Sequence, residues 1–227
     1  INWLNDISGN NNHASCPTLT TCPGSGFLAG LGEPTLWTTY NGTDQYLQIS
    51  DSPTIEITDQ LTISAWVNPT DFVKQGNIIC KSNAGIEYNY CLIIEPASGI
   101  VKFGGGDPNR PGGYPQSTFA LTPNTWSHVA ITYDGAAVNF YLNGVFRNSV
   151  NDNAATKVNS SPLYIGYNNF DSQFYKGNID EVRVWRRALS SNEITEIAKF
   201  PNQEEKSVIS QMNFDDKNNP MKDESGR

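Results

Sequence analysis

The sequence is short of basic charge, of histidine and of long apolar runs, and each shortage removes a class of function. Its 227 residues carry 15 Lys and Arg against 23 Asp and Glu, a formal charge of −8, and no basic cluster exceeds the pair Arg186-Arg187. A groove that tracks phosphates needs more positive charge than that, so the composition argues against a nucleic-acid partner. No apolar run nears the roughly 20 residues of a membrane-spanning helix. No signal peptide opens the chain, which suits a mature or excised fragment. His13 and His128 are the only two histidines, far apart in sequence and without CxxC spacing, so a Cys/His zinc site is not expected. The glycine-rich stretch Gly104 to Tyr114 lacks the GK[ST] ending of a phosphate-binding loop.

What is present favours strands. Only 17% of the chain is charged and 37% is hydrophobic, while 19 Gly, 13 Pro and many Asn supply turn chemistry. That hydrophobic content suffices for the core of one large all-β domain. Leu61, Ile63, Ala65 and Val67 alternate with Thr62, Ser64 and Trp66, a period-2 pattern that reads as a strand with one face buried and the other less so. Val129 to Tyr133 and Val138 to Leu142 repeat the pattern around Asp134-Gly135, and Asn143-Gly144 leads into Val145 to Asn148. Both dipeptides tolerate the positive φ angles of tight hairpins. Tyr46 to Ile49, Gly76 to Lys81, Tyr90 to Glu95, Ile100 to Phe103, Leu163 to Tyr167 and Ile179 to Trp185 read as further strands, at the spacing of a sandwich. The stretch from Gly104 to Tyr114 reads as a long surface loop. One short C-terminal helix is expected at an edge of the sandwich, because Ser190 and Glu193 make a capping box before Ile194 and Ile197, and Pro201 blocks continuation.

The 4 cysteines, with the sequons Asn41-Gly42-Thr43 and Asn159-Ser160-Ser161, suit an oxidising, extracellular or cell-surface setting. Of the three possible connectivities we favour Cys16 with Cys22, across a short loop, and Cys80 with Cys91, across a hairpin.

Four strings occur in one order: Leu61-Thr62-Ile63-Ser64-Ala65-Trp66-Val67, Trp126-Ser127-His128-Val129-Ala130-Ile131-Thr132-Tyr133-Asp134-Gly135, Phe140-Tyr141-Leu142-Asn143-Gly144 and Lys176-Gly177-Asn178-Ile179-Asp180-Glu181-Val182-Arg183-Val184-Trp185. With the following Ala188-Leu189-Ser190 they make the chain resemble the LamG-like jelly-roll domains of the concanavalin A-like superfamily, related to laminin G modules and pentraxins. The resemblance runs from Asp6 to about Ala198. It implies a two-sheet antiparallel jelly-roll sandwich, frequently with bound calcium, used mainly as a non-catalytic binding module in secreted or surface proteins. Enzymes on this fold would carry paired carboxylates two or four residues apart on one strand. Here Asp180-Glu181 are adjacent and no ExDxE string exists, so no enzymatic activity is expected.

Ligand recognition is expected in the loops, where polar side chains lie beside aromatic rings that suit sugar hydroxyls and pyranose faces. The candidates are Asp107, Asn109, Arg110, Tyr114 and Gln116 in the long loop, and Tyr167, Asn168, Asn169 and Asp171 before the last strand. The expected partner is a glycan or another extracellular ligand. Asp180, on strict alternation, shares a face with Val182 and Val184, where an unpartnered carboxylate is costly. The loop Asp6-Ile7-Ser8-Gly9-Asn10-Asn11-Asn12 offers hard oxygen donors, and in the resembling family it lies close to the last strand. Asp6 and Asp180 are therefore expected either to share a Ca²⁺ or to act locally, Asp180 capping backbone amides and Asp6 forming an Asx-turn.

Residues 1–200 read as the jelly-roll domain and residues 201–207 as a linker. Residues 208–227 resemble the opening strand and loop of such a domain, with Asp223-Glu224-Ser225-Gly226 echoing Asp6-Ile7-Ser8-Gly9. The strand Val208 to Phe214 is expected to complete the sandwich, on its own domain or on a neighbouring copy. A structural repeat assembling by strand complementation is thus the alternative to a carbohydrate-binding or adhesion module.

Overall fold

The computed structural model describes residues 2–4, 10–27, 36–83, 87–106, 112–152, 156–199 and 213–215. These form two large sheets and one short helix, the expected all-β jelly-roll sandwich. The first sheet has eight strands in the order Asn2–Leu4, Ala14–Ser15, Leu47–Ile49, Leu163–Ile165, Gly76–Asn83, Glu87–Ile94, Ile100–Gly106 and Gln116–Ala120. The second runs Val145–Asn151, Ala137–Leu142, Ser127–Tyr133, Leu61–Pro69, Lys176–Trp185, Leu36–Asn41 and Gly24–Phe27. Asn213–Asp215 adds a short parallel pairing to this second sheet, with Arg183 opposite Asn213 and Trp185 opposite Asp215. The remainder of the expected Val208 to Phe214 strand, and the 201–207 linker, lie outside the described residues.

The core follows from alternation. Leu61, Ile63 and Ala65 sit opposite Tyr133, Ile131 and Val129. They meet Leu47, Ile79, Leu92 and Ile165 of the first sheet in one buried cluster. The expectation of a less buried second face is corrected by the structure, because every residue of Leu61–Val67 and of Ser127–Tyr133 is buried. The outer face of the second sheet is roofed by the helix Ser191–Ile197, whose Ile194 and Ile197 pack on Ala130, Tyr141 and Trp185. The helix therefore covers a face rather than plugging an edge. It starts at the expected capping box: Glu193 Oε2 accepts the Ser190 N–H at 2.8 Å, and Arg187 Nη2 donates to Oε1 at 2.6 Å.

Both cysteine pairs form disulfides as expected, and none of the four is free. Cys80 and Cys91 are direct cross-strand partners, and Cys91 in turn faces Gly104. Gly104 to Gly106 belong to a strand, not to the start of a loop. A Cβ on Gly104 would come within 3.3 Å of Cys91 Cβ and of Ile93 Cδ1, so a missing side chain is what lets this strand pass close to its neighbours.

Lys81 points into the sandwich and is fully buried. Its Nζ donates to Asp51 Oδ1 at 2.6 Å, to Asn159 O at 2.8 Å and to Ser161 O at 2.7 Å. Three donors meet three acceptors, so the ammonium is satisfied and ties two loops to the strand Gly76–Asn83.

Lys81→Met should destabilise the fold by about 2–4 kcal/mol, because it strands Asp51 and two carbonyls. Urea unfolding checks this, and a change under about 0.5 kcal/mol would contradict it. The hydrogen bond from Arg187 holds the Glu193 carboxyl down at about 2, with the Ser190 bonds helping. Its contribution is complete above its unfolded value near 4.5 and is lost as pH falls through about 2. Glu193→Gln should therefore lower stability by about 1 kcal/mol at pH 7, with the deficit fading towards pH 2 in thermal melts.

Candidate functional site

On the outer face of the first sheet the register aligns Gln48, Tyr164, Cys80, Cys91 and Gly104. The strand carrying Tyr164 stops at Gly166, where φ is +80° and a Cβ would lie 2.5 Å from the ring of Tyr40. Only glycine fits there, and the chain turns out into a small hairpin, Tyr167–Asn168 with Gln173–Phe174. This hairpin carries rings onto the sheet. Tyr167 stacks on Tyr46 with centroids 4.8 Å apart and lies 4.6 Å from Phe174 and 5.2 Å from Tyr164. Tyr46, Tyr167 and Phe174 remain half-buried, while Tyr164 is covered. Beyond the hairpin, Phe170 and Tyr114 flank Tyr88 at 4.9 and 5.4 Å, above the Cys80–Cys91 bond.

Burial pushes the Tyr88 hydroxyl up to about 12, with the charge of Asp171 adding to it. Burial also raises Tyr46 and Tyr164, helped by neighbouring tyrosines. These hydroxyls therefore stay protonated at neutral pH.

Amide side chains fix the hairpin. Asn77 Nδ2 donates to Gln173 O at 3.1 Å, and Gln75 Nε2 donates to Asn77 Oδ1 and to Asp171 Oδ2, each at 3.1 Å. Asn168 is fully buried; its Oδ1 accepts from Ser82 Oγ at 2.7 Å and from the Phe170 N–H at 2.9 Å. Next to the aromatic group lies a cleft of about 250 Å³ between the turn at Asn41 to Thr43, the loop from Pro69 to Gly76 and the segment Phe174 to Lys176. Phe174 lines the cleft and also touches the ring cluster, so the two form one continuous surface. Asp71 in the cleft wall pairs with Lys176 Nζ at 2.7 Å.

The structure thus brings Tyr114, Tyr167 and Asp171 to one face, from two loops distant in sequence. Asn168 is spent on the turn, Asn169 is half-buried beside it, and Gln116 is exposed on the edge strand, where its carbonyl accepts from Asn148 Nδ2 at 3.1 Å. Asp107, Asn109 and Arg110 lie outside the described residues. Sequence reasoning missed Tyr46, Gln75 and Phe174. The available signal was aromatic residues at strand ends, Tyr46 before Leu47 and Phe174 before Tyr175, beside turn residues.

Asp180 sits elsewhere, and it does not share a face with Val182 and Val184 as strict alternation led us to expect. It faces Trp66 while Arg183 faces Ser64, so Glu181 and Val182 together oppose the single residue Ala65, a bulge with Glu181 at φ +50°. The extra residue turns Asp180 to the outer face, away from Val182 and Val184 in the core. Its carboxyl is pushed up to about 7, mainly by burial and then by Glu181. Oδ1 accepts the Glu181 N–H at 2.9 Å, and Arg183 pairs with Glu181. His128, expected at the sheet surface, is buried beside Trp66, and burial lowers its imidazole to about 3, with Arg183 adding to the effect. It stays neutral at physiological pH. Among the described residues no three of His, Cys, Asp or Glu cluster as metal ligands, and Asp6 lies outside them.

Several solved structures share this architecture. Domain 4 of AbnA, an extracellular GH43 arabinanase from Geobacillus stearothermophilus in complex with arabinotriose, is 20% identical over 78% of this chain and 82% of its own, with a TM-score of 0.62. The CBM40 of the Ruminococcus gnavus IT-sialidase, bound to α2,3-sialyllactose, is 15% identical over 71% of this chain and 96% of its own, with a TM-score of 0.58. Domains LG4–5 of the mouse laminin α1 chain are 15% identical over 68% of this chain and 44% of theirs, with a TM-score of 0.51. At these identities the likeness is one of fold. No curated protein matches the sequence. Residues 41–195 match the family described as the concanavalin A-like lectin/glucanases superfamily, a span that includes all four sequence strings, both sheets' central strands and the aromatic face. The chain therefore belongs to the concanavalin A-like lectin/glucanases superfamily.

Proposed function

We propose that the chain is a non-catalytic carbohydrate-binding module of an extracellular or cell-surface protein, and that it takes a glycan on the outer face of the eight-stranded sheet. The observation that carries this reading is the half-buried stack of Tyr46, Tyr167 and Phe174 continuous with a polar cleft. Rings offer a face to the C–H side of a sugar, and amides and hydroxyls beside them bond its hydroxyl groups. The carboxylates near the face are engaged, Asp71 by Lys176 and Asp171 by Gln75, which supports binding over acid–base chemistry. The arabinotriose and sialyllactose complexes of the fold relatives support a glycan as ligand, and two disulfides support an oxidising setting. Among the described residues no helix is long and apolar enough to cross a membrane.

A structural Ca²⁺ held by Asp180, with Asp6, is part of the proposal. A buried carboxylate with a single backbone donor among the described residues suits a hard cation, which would stabilise its charged form. Within the chain, Asn213–Asp215 pairs with Arg183–Trp185, which supports the C-terminal strand completing its own sandwich; strand complementation between copies is the second reading.

Tyr167→Ala and Phe174→Ala should each weaken glycan binding by about 1 kcal/mol or more while leaving the melting temperature within a few degrees. Calorimetry against hits from a glycan array measures this, and unchanged affinity in both variants would contradict it. For the cation, the sign follows from the raised carboxyl. Without Ca²⁺ the stability linked to Asp180 is complete below pH 4 and is lost as pH rises through about 7. Adding Ca²⁺ at pH 8 should raise the melting temperature of the native chain and not of Asp180→Asn; equal responses would contradict the site.

A further inference from the structure

The cleft beside the aromatic stack holds one hydrogen-bond acceptor whose orientation is fixed. Gln75 lines it, and both hydrogens of its Nε2 are committed, one to Asn77 Oδ1 and one to Asp171 Oδ2, each at 3.1 Å. The amide cannot be reversed. A carboxylate has nothing to donate, and Asn77 is held the same way round because its own Nδ2 donates to Gln173 O at 3.1 Å. Gln75 Oε1 is therefore left without a partner among the described residues, in a wall made rigid by a buried asparagine. Two positions earlier, Val73 lines the same cleft and is 80% exposed, the most exposed of the large hydrophobic side chains among the described residues. Between them Lys74 is exposed and has no ion-pair partner among the described residues.

An acceptor, an aliphatic group and a donor along one short loop match the three parts of an acetamido group, its N–H, its methyl and its carbonyl. We infer that the cleft selects an N-acetylated sugar, with Gln75 Oε1 accepting the amide N–H, Val73 covering the methyl and Lys74 donating to the carbonyl oxygen. This rests on the glycan-binding reading and narrows it. A sugar bearing only hydroxyl groups would satisfy Gln75 but leave Val73 in water. An anionic sugar is less suited, because Lys176 is already paired with Asp71, and Asp44 and Asp171, bonded to the cleft residues Asn41 and Gln75, oppose the remaining charge of Lys74.

The full chain should be titrated by calorimetry with three oligosaccharides of the same β-1,4 linkage and length: an N-acetylglucosamine oligomer, its de-N-acetylated form and a glucose oligomer. The acetylated oligomer should bind at least about tenfold more tightly than either of the others. Val73→Ser, a change at an exposed loop position that leaves the melting temperature in place, should reduce that preference to under about threefold, as should Gln75→Leu. Tyr167→Ala should weaken every oligomer that binds. Equal binding of the acetylated and glucose oligomers, weakened by Tyr167→Ala, would overturn the acetamido preference and leave the glycan-binding reading standing. Binding of none of the three, together with a blank glycan array, would overturn both.

Discussion

The sandwich carries side chains on both faces of its central strands that need cover, and that requirement organises the rest of the chain. Leu61–Val67 and Ser127–Tyr133 bury their alternate residues in the core, yet their outward residues are buried too. On the second sheet the capped helix supplies cover over Ala130, Tyr141 and Trp185. On the first, the excursion beginning at Gly166 does so, pinned by the buried amides of Asn168 and Asn77. This second cover is narrow. It shields Tyr164 and Tyr88 but leaves Tyr46, Tyr167 and Phe174 half in water. The binding surface we propose is the unfinished edge of that cover, adjoining a cleft that the fold leaves open.

Much of the fold was legible in the sequence because it rests on local rules. Period-2 alternation located the strands, Asp134-Gly135 and Asn143-Gly144 located two hairpins, and Ser190 with Glu193 located the start of the helix. The errors arose where a tertiary contact decided the outcome. Gly104 to Gly106 look like loop residues, yet they form a strand because Cys91 and Ile93 need a neighbour without a side chain. Asp180 looks inward-facing on strict alternation, yet one extra residue at Glu181 reverses it. His128 looks like a surface residue, because nothing in its own strand announces what covers the sheet.

The candidate site was legible only in part. Polar turn residues beside aromatics drew attention to Tyr114, Tyr167 and Asp171, and these do share a face. Tyr46 and Phe174 lie more than a hundred residues apart, and what joins them is the return of the hairpin onto the sheet, which no local pattern encodes. Gln75 gives still less signal, since its importance lies in which way its amide is turned. Membership of the superfamily settles the architecture and leaves the choice of ligand to such side chains, because the same sandwich serves many partners.

The proposed function stands or falls on where the ligand lies. A crystal structure of the chain soaked with the tightest-binding oligosaccharide from a glycan array tests it most directly. A sugar ring is expected against Tyr167 and Phe174, with a neighbouring sugar residue in the cleft beside Gln75. A sugar bound instead on the outer face of the second sheet near Asp180, with the aromatic face bare, would contradict it.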